Sequence, residues 1–469
     1  MSGSAKNDSE ELVSMLAEKC VLSLWSYPNP RGKSPDKELC DHLVVCDPDV
    51  IIFSVKDKNL GNSGDIDVDW NRWRREAIEN SSGQAYGAER WIHRAANVVT
   101  SEGAAMLPFP DADMRKVHRI VVAFGGKRQV PFSSGDFGKG FVHAIDELSL
   151  LVLLTELDTI TDFVQYLSDK EAFFSGGVRI VVEGGEEDIL ALYLANNRSF
   201  PDNCDLIIIE TGLWADFQQK PEYRAKKKAD QDSYIWDQLI EEFCGHFQAG
   251  TLEYSAPLSE VERVTRTMAR ENRFNRRHLG ASFKQFMELT ETKLRRARYT
   301  ISPSGIGYVF LATPHDYDRE QRMLQLGARC GIVRGLNPEI KTVVGIATEE
   351  YVPGKGYSLD ACYFHKEEWT DEDQALMQDL QRDFGYFTNP VVTHYQDDEY
   401  PPQWERQGFC VNDHLLFLLT ADLSAVVGAV GTVEKRQLCF STVSIALFSS
   451  CAFIRESSRV SLPATGLRR

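Results

Sequence analysis

Short apolar runs of strand length alternate along this chain with longer stretches of helical periodicity. That alternation restricts the fold to layered architectures in which helices cover sheets. Two runs come early, LVVC at 43–46 and VIIFSV at 50–55, and the Asp47-Pro48-Asp49 between them has turn chemistry. The pair predicts a β-hairpin. Ahead of it, residues 9–20 read as a helix, with Ser9 as N-cap, Glu10 and Glu11 in the first turn, and Leu12, Met15 and Leu16 on one face. A Pro/Gly-rich stretch, YPNPRGKSPD, separates helix from hairpin. A long helix is expected over about 68–98, carrying Trp70, Trp73, Ala77, Ala88 and Trp91, and then a strand at 119–123.

From about Asp146 the pattern is helical, most clearly in LSLLVLLTELDTITDFVQYL. A strand at 179–183 leads through GGEED into another helix, and DLIIIE at 205–210 reads as a buried strand. A basic patch at 224–228 precedes long helices reaching about Arg298. A further α/β region follows, with GYVFLA at 307–312, a helix over 319–330 and TVVGIA at 342–347. There is no internal repeat and no low-complexity tract. A chain of 469 residues exceeds one ordinary core. The fold class is therefore α/β (α+β), and the expected parts are 1–145, a mostly helical 146–300, an α/β region 301–405 and an apolar tail 406–469.

The net charge of −17 counts against a nucleic-acid surface covering the whole chain, although a local basic track is compatible with it. Ten cysteines stand singly between Cys20 and Cys451, with no CxxC and no zinc spacing. The N-terminal MSGSAKNDSEEL lacks the apolar core of a secretory signal, so reduced thiols in a cytoplasm are expected. Near the C-terminus, the runs 415–430 and 438–454 are interrupted by charge and fall short of the roughly 20 apolar residues of a membrane helix. Packed helices or strands are expected there, and membrane association is not.

Four residues at the hairpin ends carry chemistry. Glu38 and Asp41 lie just before and at the start of the first strand, and Ser54 and Lys56 lie near the end of the second. Side chains two apart on a strand point the same way, so Ser54 and Lys56 share a face, and Asp41 is expected opposite Lys56. Two carboxylates and an ammonium together suit phosphodiester hydrolysis. Carboxylate oxygens bind Mg²⁺, and the lysine orients the attacking water or neutralises developing charge.

In these residues the segment of about 10–125 resembles the PD-(D/E)xK superfamily of restriction-endonuclease-like nucleases. The resemblance implies a mixed sheet flanked by helices, with Asp41 as metal-binding aspartate and Lys56 as catalytic lysine. It makes Glu38 an additional acid and metal ligand, and Gln84 in SSGQAYGAERW the active-site glutamine that some branches carry. The position two before the lysine, normally Glu, Asp or Gln, is Ser54, which brings no charge; Glu38 or Asp57 then compensates, or the site is weakened. The function implied is a Mg²⁺- or Mn²⁺-dependent nuclease acting on nucleic acid, DNA foremost, in bacterial restriction or phage defence. Protein partners or self-association would accompany it. The alternative is a degenerate nuclease fold that binds nucleic acid or serves as a scaffold.

Arg263, Arg266, Arg270, Arg273 and Arg277 recur at spacings that align them on one helical face, with Arg276 and the 293–296 KLRR nearby. Such a stripe needs an anionic partner, either nucleic-acid phosphate or acids elsewhere in the chain. GGEED reads as a strand-to-helix loop whose acids favour the helix N-terminus, ahead of a metal cluster. Gly125-Gly126-Lys127 lacks the remaining P-loop residues. His143, His246 and His315 are isolated and read as structural or surface residues.

Overall fold

The computed structural model describes residues 7–32, 37–126, 132–252, 256–291, 297–350, 352, 357–388, 398–401 and 440–448. Helix α1 (Asp8–Val21) opens the chain. Its cap is Asn7, not Ser9: the Asn7 side chain accepts from the Glu10 amide at 2.9 Å. Strands β1 (Ser26–Pro28), β2 (His42–Cys46) and β3 (Asp49–Asp57) form an antiparallel meander that contains the expected hairpin.

The expected long helix is three consecutive pieces: α2 (Ile66–Trp73), a π-helical turn (Arg74–Glu79) and α3 (Asn80–Ile92). It stops before the β-branched Val98 and Val99, which enter β4 (Asn97–Val99), paired with β5 (Ala105–Pro108). The crossover returns to β6 (Lys116–Phe124), followed by β7 (Gly135–Asp136) and β8 (Phe141–Asp146). The six-stranded sheet has the order β1-β2-β3-β6-β8-β7. Strands β3, β6 and β8 are mutually parallel and the rest antiparallel. It is a mixed sheet flanked by helices.

The apolar segment after it is two helices, α4 (Glu147–Glu156) and α5 (Ile160–Phe174). Thr159 breaks the run by capping the Asp162 amide at 3.1 Å. Strand β9 (Arg179–Val182), α6 (Glu186–Ala195) and β10 (Leu206–Ile209) make a small parallel unit. The expectation of a buried strand at 205–210 does not hold on both faces. Leu206 and Ile208 alternate outward and are 47 % and 53 % exposed. Helices α7 (Leu213–Gln219), α8 (Pro221–Ala229), α9 (Tyr234–Gln248), α10 (Leu258–Ala269) and α11 (Arg273–Glu291) follow.

Arg298 is not helical; it lies in β11 (Ala297–Ile301). Then come β12 (Ile306–Thr313), α12 (Arg319–Leu336), β13 (Thr342–Glu349), β14 (Tyr357–His365), α13 (Asp371–Phe384) and β15 (Phe440–Phe448). These strands form a second mixed sheet in chain order, with β12 parallel to β13 and β14 parallel to β15. Helix α12 packs closely on it at Gly345, where any Cβ would come 2.7 Å from the Cys330 sulfur. One apolar core joins α1, the first sheet, helices α4–α6 and α9–α11, and the inner face of the second sheet. The apolar run 415–430 and the basic 293–296 lie outside the described residues, and the 438–454 run includes β15. Among the described residues no helix is long and apolar enough to cross a membrane.

Candidate functional site

The two-residue turn sets the register of the hairpin: Cys46 pairs with Asp49 and His42 with Phe53. Asp41, one step before His42, therefore comes beside Ser54, not opposite Lys56 as expected. Strand β3 simply runs past the start of β2. The Asp41 carboxylate is tied to β3, its Oδ2 accepting from the Val55 amide at 2.6 Å. Its carbonyl accepts from the Asn29 amide at 3.0 Å.

Ser54 is 2 % exposed and faces α3, where its hydroxyl donates to Gln84 Oε1 at 3.1 Å. Strand alternation places Lys56 on the same side, exposed at the strand end. Asp57 points the opposite way, toward α1, and accepts from the Ser9 hydroxyl at 2.8 Å. It is thus not where a substitute for the missing carboxylate at Ser54 would be needed. Glu38 is held in the segment before β2, paired through a backbone bridge with Arg31. The structure brings Ser54 and Gln84 into contact, ties Asp41 to the next residue of β3 at the Val55 amide, and leaves Lys56 on the Ser54 face of the strand.

His42, next to Asp41, is fully enclosed between two hydroxyls, Ser14 at 3.0 Å from Nδ1 and Ser26 at 2.8 Å from Nε2. Burial pushes its pKa down to about 3, so the ring is neutral. Just past β3, Lys58 Nζ lies 2.7 Å from Glu76 in the π-helical turn, and the Lys58 carbonyl accepts from the Trp73 indole at 2.6 Å.

The donor set bears on a cation. Mg²⁺ keeps several waters and asks the protein for only one or two carboxylates, the substrate phosphate supplying the rest. Asp41 is a carboxylate at this end of the sheet, its Oδ2 held by the Val55 amide, and the Ser54 and Gln84 oxygens are bonded to each other. Among the described residues no three His, Cys, Asp or Glu converge, so no all-protein cage of the zinc or calcium kind is formed.

The arginine stripe is not one helix. Helix α10 ends at Ala269 and α11 starts at Arg273. Arg266 pairs with Asp47 and, at 3.0 Å, with Glu262. Arg270 lies 2.8 Å from Asp49. Arg273 is 2.8 Å from Asp158 and 2.9 Å from Asp237. Arg277 is 2.7 Å from Asp230, and Arg276 is 2.6 Å from Asp237. Arg263 is exposed, with its guanidinium carbon 6.0 Å from the Tyr363 ring centre. Arg266 and Arg270 grip the hairpin turn at the end of β3 remote from Lys56. Burial pushes Asp49 up, but its bond to His118 (2.9 Å) and the Arg270 charge outweigh it and hold the carboxyl below the usual range. That anchor was hidden in sequence, since Asp49 read as a turn residue.

GGEED runs from the loop after β9 into the first turn of α6, with Asp188 accepting from the Gly185 amide at 3.1 Å. Its Glu186 meets the fully buried Lys170 at 2.5 Å. His143 is fully buried on β8. Comparisons with family models, curated proteins and solved structures find no match to this chain.

Proposed function

We propose that the first sheet carries a Mg²⁺- or Mn²⁺-dependent phosphodiesterase acting on nucleic acid, in the manner of the restriction-endonuclease-like enzymes it resembles in sequence. The observation that carries this reading is the meeting of Ser54 with Gln84, beside Asp41 and on the strand face that bears Lys56. When bound, the cation would lower the pKa of a water and screen the phosphoryl oxygens. Asp41 and the Ser54–Gln84 pair would hold it against the end of β3. Lys56, solvated and on the same face, would orient the attacking water and offset negative charge as it develops. The test is cleavage of plasmid, single-stranded DNA and RNA with Mg²⁺ or Mn²⁺, set beside Lys56→Ala; no cleavage of any substrate by wild type overturns the reading.

Ser54 favours a second reading. A neutral hydroxyl engaged by Gln84 stands where the superfamily places a charged or amide ligand, which suits a degenerate nuclease fold that binds nucleic acid or scaffolds. Calorimetry separates the two: this second reading expects no Mg²⁺ or Mn²⁺ uptake by wild type. Residence in a cytoplasm, a role in restriction or phage defence, and self-association are extensions of the first reading.

A further inference from the structure

Beside the Ser54–Gln84 site, the helical stretch that carries Gln84 presents a surface of a different kind. Arg74, the first residue of the π-helical turn, places its guanidinium carbon 5.8 Å from the Trp70 ring centre and 6.0 Å from that of Phe137. Its side chain is 42 % exposed, and both rings are half-buried. The rings are held in place. Trp70 leans on Trp73 at 6.2 Å, and Trp73 is buried and bonded to the Lys58 carbonyl. Phe137 sits in a loop closed by Asp136, which accepts from the Gly138 and Gly140 amides at 2.6 and 3.0 Å. Tyr86 of α3 fastens the same loop through the Gly140 carbonyl at 2.6 Å.

Both signs surround the rings. Glu76 and Glu79 are taken by Lys58 and Arg74, at 2.7 and 3.3 Å, Arg72 and Arg75 stand exposed on the same stretch, and Asp67 and Asp136 are exposed close in sequence to Trp70 and Phe137. Lys56 is exposed two residues before Lys58. Two aromatic surfaces, a guanidinium between them and nearby cations are the parts of a single-strand platform: bases stack on rings without regard to sequence, and phosphates meet the cations. A duplex, its bases already stacked on each other, gains nothing from the rings. π-Helical turns themselves recur at functional sites. Arg74 precedes Gln84 by ten residues, about 15 Å along the helical axis.

We propose that Trp70, Arg74 and Phe137 form a stacking platform that selects single-stranded nucleic acid for the neighbouring site. This rests on the phosphodiesterase reading for its purpose, though not for the binding itself. The test uses the full chain carrying Asp41→Asn, so that the probe stays intact, and a fluorescent oligo-dT beside a duplex of equal length. Trp70→Ala and Phe137→Ala should each weaken oligo-dT binding by about tenfold, since one base–ring stack is worth about 1–3 kcal/mol. Binding of the duplex should change by less than about twofold. Trp70→Phe should restore most of the affinity, which a merely misfolded α2 would not allow. Absence of oligo-dT binding by the parent protein overturns the platform, as does an equal loss on both probes or a Trp70→Ala protein that binds oligo-dT normally. The two readings fail separately. If wild type cleaves nothing while Trp70→Ala loses oligo-dT affinity, the phosphodiesterase falls and the platform stands. If wild type cleaves while Trp70→Ala keeps its affinity, the platform falls and the phosphodiesterase stands.

Discussion

Arg270 meets Asp49 at 2.8 Å, which pins the first residue of β3 to the C-terminus of α10, a helix more than two hundred residues further along the chain. The strand that ends in Lys56 thus starts at a fixed ionic anchor. The neighbouring Arg273 is more deeply buried still, 2 % exposed against Asp158 and Asp237. Removing one partner of such a network leaves a buried charge uncompensated, which costs about 3–5 kcal/mol. Arg273→Ala should therefore destabilise by that amount in a urea titration, and Arg266→Ala, whose side chain is 25 % exposed on the hairpin turn, by less. Equal midpoints for the two variants would refute the ordering.

The candidate site should separate activity from stability. Asp41→Asn keeps an oxygen able to accept from the Val55 amide, and Lys56 is exposed, so neither change should move the melting temperature by more than a few degrees. Both should abolish divalent-dependent cleavage. A pair of variants with full activity would place the chemistry elsewhere.

Ser54→Glu should raise Mg²⁺ affinity by adding a carboxylate next to Asp41. Because Ser54 is buried against Gln84, the same change should also lower stability, the new charge having left water. Calorimetry and a melt on one variant read both. A glutamate variant that binds the ion no better than wild type would argue that Asp41 is not a metal ligand.

His42 sets a pH dependence. Its folded pKa lies at about 3, below the roughly 6.5 of an unfolded histidine, so the unfolded chain takes up the proton first. The stability owed to the neutral ring is complete above pH 6.5 and is lost as pH falls toward 3, by about 1.4 kcal/mol per unit within that window. His42→Gln, which keeps a hydrogen-bonding side chain between Ser14 and Ser26, should flatten the stability profile in that window. A profile of unchanged slope would show that the ring is not the group responsible.

Lys170 and Glu186 offer a test of buried charge away from any proposed chemistry. Lys170→Met alone should cost about 3–5 kcal/mol, while Lys170→Met with Glu186→Leu should recover most of it, because the desolvation of both ions is then avoided. Failure of the double variant to recover would mean that the bonds of Glu186 to Tyr166 and of Lys170 to Ser134 matter more than the pair itself.

What the sequence made legible was local. The hairpin followed from Asp47-Pro48 between two apolar runs, whereas Gln84 entered only through the family resemblance and its contact with Ser54 left no sign in the sequence. The register escaped, because where Asp41 falls depends on the two residues of the turn, and an offset of two leaves every side chain on the same face. Arg266, Arg270 and Arg273 showed their charge but not their partners, which lie at Asp47, Asp49 and Asp158, far off in sequence. DLIIIE showed apolar residues throughout its centre, and nothing in the run distinguishes a strand covered twice from β10, which is covered once.

The π-helical turn between Trp73 and Gln84 makes the length of that segment matter more than its letters. A wider turn carries an extra residue, and each residue of an α-helix rotates the chain by about 100°. Deleting one residue from Arg74–Glu79 would let the turn relax to ordinary α-helix, with the residues on either side keeping their relative facing. The same deletion at the start of α3, ahead of Gln84, would swing Gln84 by that angle, so that Trp73 could stay beneath the Lys58 carbonyl or Gln84 on Ser54, but not both. Single-residue deletions should therefore be tolerated within the turn and disarm the chain just after it.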